Sequence, residues 1–109
     1  MPSYNKLVRD KIPEIIKRKT DQYTVKKLDD ETYIQELRRK LHEELNEYIE
    51  ATSDEEALEE LADLVEIIHA LSFIHNGNFE KVEAIRQRKL EERGGFTEKF
   101  YLIDMDDSV

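Results

Sequence analysis

Four acidic residues in two pairs, Glu44 with Glu47 and Glu60 with Asp63, are the pattern in this chain that could do chemistry. The first pair lies in EELNE at 43–47, the second in ELAD at 60–63. A separation of three residues puts both members of a pair on nearly one face of a helix. Two such helices packed antiparallel would bring the pairs face to face. Carboxylates gathered away from water repel one another, and a divalent cation removes that repulsion. A donor set made only of oxygen suits Mg²⁺ or Mn²⁺. Mg²⁺ keeps several waters and commonly bridges to substrate phosphates.

The competing use of these acids is a solvated helix surface. Lys40 precedes Glu44 by four residues, which allows an exposed ion pair of ~0.3–0.5 kcal/mol. Asp54, Glu55 and Glu56 fall in the first turn of a predicted helix, where the macrodipole alone favours acids. Projection at about 100° per residue separates the two uses. Glu60 and Asp63 share a strip with Ile67 and Ile74, and the other side carries Leu58, Leu61, Val65 and Ile68. A helix apolar on two faces is central in a fold, so Glu60 and Asp63 should point into a groove. Carboxylates there need a partner or a metal.

The elements that must position these residues are mostly helical. A short helix is predicted to begin near Ile12 with Pro13 in its first turn, where the missing N–H costs little. A break follows at Thr20 to Gln22. YTVKKL at 23–28 has the β-branched residues and alternation of a short strand. Asp29 or Asp30 caps a long helix to about Ala51, with Ile34, Leu37, Leu41, Leu45 and Tyr48 as its apolar stripe. Ser53 and Glu56 form a capping-box signature for a third helix over 54–74. HNGN at 75–78 ends it, with Gly77 suited to a left-handed turn. A fourth helix over 79–93 carries Phe79, Val82 and Ile85 inward, with Leu90 a further candidate, and stops at RGG, 93–95. KFYLIDM at 99–105 is a second strand candidate. Paired with 23–28 it would make a two-stranded ribbon that needs a helical layer. The expectation is one domain, 1–109: a mostly α bundle with a short ribbon, its second and third helices antiparallel. The apolar surface of the third helix predicts burial against a second subunit.

Composition bounds the rest. The 109 residues suffice for one core. With no cysteine, disulfides, thiolate metal sites and cysteine nucleophiles are excluded. No apolar run approaches membrane-span length, and MPSYNKLVRDKIPEII does not read as a secretory leader. These features predict a cytoplasmic protein with no membrane partner. The net charge of −9 argues against general nucleic-acid binding. Eleven acids and no lysine or arginine occupy 43–66, while basic residues lie on both sides.

The pattern Glu44-Leu-Asn-Glu47, twelve residues, Glu60-Leu-Ala-Asp63 resembles the all-α nucleoside triphosphate pyrophosphohydrolases of the MazG-like superfamily. The flanking YNKLVRDKIPEII at 4–16 and KLEERGGF at 89–96 are similar to a compact branch of house-cleaning pyrophosphatases. The resemblance implies a MazG-like helical bundle and Mg²⁺ held by Glu44, Glu47, Glu60 and Asp63. It also implies cleavage of nucleoside triphosphates between the α and β phosphates, releasing a monophosphate and pyrophosphate. A homodimer or homotetramer is implied as well. Glu43, in front of the first pair, would orient or deprotonate the attacking water, or face solvent.

Such a reaction also needs cations for the phosphate oxygens. The early candidates are Lys6, Arg9 and Lys11; the late ones are Lys89 and Arg93, four apart on one helical face. Each has a structural alternative: Arg9 with Asp10 or Glu14, Lys89 and Arg93 with Glu92 and Glu98. His69 is expected to be a packed core residue, His42 and His75 surface residues. Phe96, Phe100 and Tyr101 are expected to pack in the core by anchoring the C-terminal strand, the alternative being stacking on a base. No glycine-rich phosphate loop occurs. The alternative to the enzyme is a non-catalytic acidic helical module for dimerisation and interaction.

Overall fold

Helix boundaries follow from side chains that complete the backbone hydrogen bonding at each end. The computed structural model describes residues 2–108. Helix α1 spans Ile12–Lys17 and has Pro13 in its first turn. Helix α2 spans Asp30–Glu50, and the Asp29 side chain accepts the Thr32 N–H at 2.7 Å. Helix α3 spans Asp54–Ile74 and opens with Ser53 Oγ accepting the Glu56 N–H at 3.1 Å. Glu56 reaches back one residue further than a standard capping box: its Oε2 accepts the Thr52 N–H at 3.0 Å and the Thr52 hydroxyl at 2.8 Å. Helix α4 spans Phe79–Arg93, capped by Asn78, which accepts the Lys81 N–H at 2.9 Å. Gly94 ends it with φ of 81°, a conformation that disfavours residues with a Cβ.

Helix α2 packs on α3, and α3 on α4, while α1 makes no packing contact with the other helices. The α2–α3 hairpin is the centre of the fold, as its short turn predicts. Leu37 on α2 and Ile67 on α3 are the buried hydrophobic residues. Glu60, Asp63, Leu64 and Ile74 are half-buried on the same side of α3 as Ile67. The opposite stripe, Leu58, Leu61, Val65 and Ile68, lies exposed. The α2 stripe is protected at Leu37 and half-protected at Ile34 and Leu41, but Leu45 and Tyr48 near its end are exposed.

Several expectations require correction. Among the described residues neither 23–28 nor 99–105 forms a strand, so the ribbon is absent. Without pairing and a helical layer over it, a two-residue-period pattern this short has nothing to stabilise it. Phe96, Phe100 and Tyr101 are not core residues; each is at least 90% exposed. On α4 only Phe79 of the inward set packs, its ring 3.6 Å from the His69 ring centroid, while Val82, Ile85 and Leu90 are exposed. His69 is half-buried in that contact.

The α3–α4 turn also differs in detail. The left-handed residue is Asn76, φ 54°, not Gly77. Asparagine tolerates that region better than most residues. Gly77 instead sits in close approach: its N–H donates to the Ser72 carbonyl at 3.2 Å, and a Cβ there would crowd the same oxygen at 3.2 Å.

Candidate metal centre

The turn between α2 and α3 sets which acids meet. Glu44 lies six residues before Glu50, the last of α2, and Glu60 six residues after Asp54, the first of α3. In an antiparallel hairpin they therefore stand level. Glu47 lies nearer the turn by three residues, and Asp63 further from it by three, each an axial offset of about 4.5 Å at the helical rise. The offsets run in opposite directions. Glu47 and Asp63 thus flank the Glu44–Glu60 level from opposite sides.

The observed geometry follows that register. One carboxylate oxygen each from Glu44, Glu47 and Glu60 lies within 4.8 Å of the other two. Glu44 is buried, Glu60 half-buried and Glu47 exposed, so the cluster opens to solvent at one edge. Glu44 Oε2 and Glu60 Oε2 are both shielded from solvent and have no hydrogen-bond partner. Leaving such oxygens unpartnered is costly. Lys40 Nζ stands 3.9 Å from Glu44 Oε1, at the spacing that allows an ion pair but largely shielded rather than on the exposed surface, and does not serve the Oε2 side.

Burial pushes the Glu44 carboxyl up from its ordinary 4.5 to about 7. The Glu60 carboxylate beside it and the charge of Glu47 add to the shift, and Asp63 contributes more weakly. Burial and the three neighbouring carboxylates all act against its ionisation. Three carboxylates converging on one point, two of which also carry a shielded, unpartnered oxygen, fit a hard divalent cation.

Asp63 does not join this group. Its Oδ1 accepts a 2.6 Å charge-assisted hydrogen bond from Arg9 Nη2. The pair ties the irregular N-terminal segment to α3 across 54 residues of sequence. Neither Asp10 nor Glu14 takes Arg9; Glu14 instead pairs with Arg18 at 3.9 Å. Local spacing carries no signal for a contact this distant; the only hint is the opposite charge of the cations in 4–16 and the acids in 60–63.

The other candidates are placed separately. Glu43 is exposed and outside the converging group. Lys6 lies over the Tyr4 ring, 5.6 Å from its centroid. Lys11 is exposed at the N-terminus of α1. Lys89 and Arg93 are exposed on α4 and form no ion pair among the described residues, with Glu92 and Glu98 or with any other acid. Comparison with protein-family models, curated proteins and solved structures gives no match.

Proposed function

We propose that this chain is a divalent-cation-dependent pyrophosphohydrolase of nucleoside triphosphates, acting in the cytoplasm as a homo-oligomer. The observation that carries the reading is the convergence of Glu44, Glu47 and Glu60, with two shielded oxygens left without a partner. Mg²⁺, or Mn²⁺, held there would neutralise phosphate charge and lower the pKa of a bound water. The remaining requirements fall to the chain itself.

Arg9 supplies a guanidinium beside the cluster, in contact with Asp63. A planar guanidinium can hold two phosphate oxygens at once, and Asp63 orients it. Lys6 and Lys11 lie on the same segment and can add charge to the outer phosphates. Exposed Glu47 borders the open edge, where a water can be held and its proton accepted. The reaction adds water to the α-phosphorus and breaks the α–β anhydride bond. One oxygen goes to the monophosphate, pyrophosphate leaves, and one proton is released.

The deciding measurement is pyrophosphate release from a panel of nucleoside triphosphates, with Mg²⁺, with Mn²⁺ and with chelator. Metal-dependent release that Glu60→Gln abolishes is the expected result. No release from any triphosphate, with no metal-dependent shift in melting, assigns the acidic hairpin to the non-catalytic interaction module instead.

A further inference from the structure

Beyond α4 the chain runs in irregular form to the last described residue. Phe96, Phe100, Tyr101, Leu102 and Ile103 in this arm are 73–100% exposed. The chain as a whole exposes 10297 Å², about 4,000 Å² more than the ~6,300 Å² typical of a compact monomer of its mass. Its radius of gyration is 18.9 Å with extents of 64 × 36 × 23 Å, against ~13 Å for a compact chain of this length. An obligate dimer interface takes about 1,000–2,500 Å² from each partner. The surplus is therefore large enough for a second copy, and the exposed apolar residues of the arm belong to it.

The order of residues selects where the arm goes. Val82, Ile85, Lys89 and Arg93 follow one another at helical spacing along one face of α4, apolar first and basic second. All four are exposed, and the two cations form no ion pair among the described residues. The arm has the matching order: Phe100 and Leu102, then Asp104 and Asp106. Leu102 to Asp106 spans about 13 Å when extended. Ile85 to the midpoint of Lys89 and Arg93 spans about 9 Å along the helix. The two sequences match in charge only when the arm runs parallel to α4. An arm folding straight back on its own α4 from Gly94 runs antiparallel, which carries its acids away from Lys89 and Arg93 toward the acidic N-terminal end at Glu80. A second copy's arm has no such constraint.

We propose that the C-terminal arms are exchanged in a homodimer. Each arm lies parallel to α4 of the second copy, with Phe100 and Leu102 on Val82 and Ile85, and Asp104 and Asp106 against Lys89 and Arg93. This gives Lys89 and Arg93 an occupant other than a substrate phosphate, so the inference stands apart from the proposed activity.

The chain has no cysteine, so single thiols can be placed in the full-length protein without background. Ile85→Cys and Leu102→Cys variants, one carrying an affinity tag, are mixed and mildly oxidised. A mixed disulfide between the two chains, well above either homodisulfide, is expected. A double variant that closes its bridge within one chain overturns the exchange, as does a monomeric mass by light scattering. Reversal of the arm charges, Asp104→Lys with Asp106→Lys, should raise the dimer dissociation constant roughly tenfold or more with helix content unchanged. Adding Lys89→Asp and Arg93→Asp should restore it. Failure of that rescue overturns the parallel register.

Discussion

Glu44 and Glu60 face each other from level positions on α2 and α3, each with a shielded carboxylate oxygen that no group in the protein satisfies. A ligand that binds only the folded state stabilises it by mass action, about 2.7 kcal/mol at one hundred times its dissociation constant. Millimolar Mg²⁺ or Mn²⁺ should therefore raise the melting temperature by several degrees over chelator. Glu60→Gln should remove most of that rise. Asp63→Asn should remove less, because Asp63 stands outside the converging group. Equal loss in the two variants would refute a three-glutamate centre.

The Glu44 titration gives a pH dependence with a definite sign. Its pKa is raised from 4.5 to about 7 by burial, Glu60 and Glu47. Below 4.5 the carboxyl is protonated in both folded and unfolded chains, and its contribution to stability is fully present. Between 4.5 and about 7 the folded chain keeps a proton that the unfolded chain has released, so stability falls as pH rises. The loss is complete above 7, on the order of 3 kcal/mol. Urea denaturation in chelator across pH 5 to 8 should show this decline. Saturating Mg²⁺ should flatten it, and Glu44→Gln should abolish it in chelator. A wild-type curve that stays flat in chelator sinks the assignment.

The sequence made the hairpin legible because its signals are local. Asp29, Ser53 and Asn78 cap the helices they precede, and the apolar spacing on α2 and α3 gives the facing strips. The register was also readable. Counting from the turn sets Glu44 level with Glu60 and puts Asp63 about 4.5 Å beyond it along the axis. Glu47 has the same offset toward the turn and still converges, so the offset alone does not decide which of the two flanking acids joins the group. The Arg9 contact with Asp63 was not readable, since no periodicity links residues 54 apart. The ribbon failed for the converse reason. Alternation in 23–28 and 99–105 is a local signal, but a strand exists only where a partner strand meets it.

The Arg9–Asp63 pair is open to solvent, with 57% and 39% of the two side-chain surfaces exposed. An exposed ion pair contributes at most about 1 kcal/mol, so Arg9→Ala should leave the melting temperature nearly unchanged. Its effect should fall on turnover. Loss of a guanidinium that holds phosphate should lower kcat/KM for a triphosphate on the order of tenfold or more, and Arg9→Lys should recover only part. Steady-state kinetics beside thermal melting separates the two roles. A large loss of stability with unchanged kcat/KM would make Arg9 a structural strap alone.

The cap at the start of α3 should behave in the opposite way to the metal centre. Ser53 accepts the Glu56 N–H, and Glu56 accepts both Thr52 donors. Ser53→Ala should cost about 1 kcal/mol, or roughly 4–8 °C for a domain of this size. The residue touches no cluster carboxylate, so the Mg²⁺-dependent rise should survive on the lowered baseline. Glu56 also titrates with the reverse sign to Glu44. The Thr52 hydrogen bonds hold its pKa below 4.5; its contribution is present above 4.5 and is lost as pH falls through the depressed value. Glu56→Gln should soften the acid limb of the stability profile and leave the decline between 4.5 and 7 intact. Glu44→Gln should do the converse. A Glu56 variant that alters the neutral limb, or a Ser53 variant that loses the metal response, would mean that cap and centre are one cooperative unit.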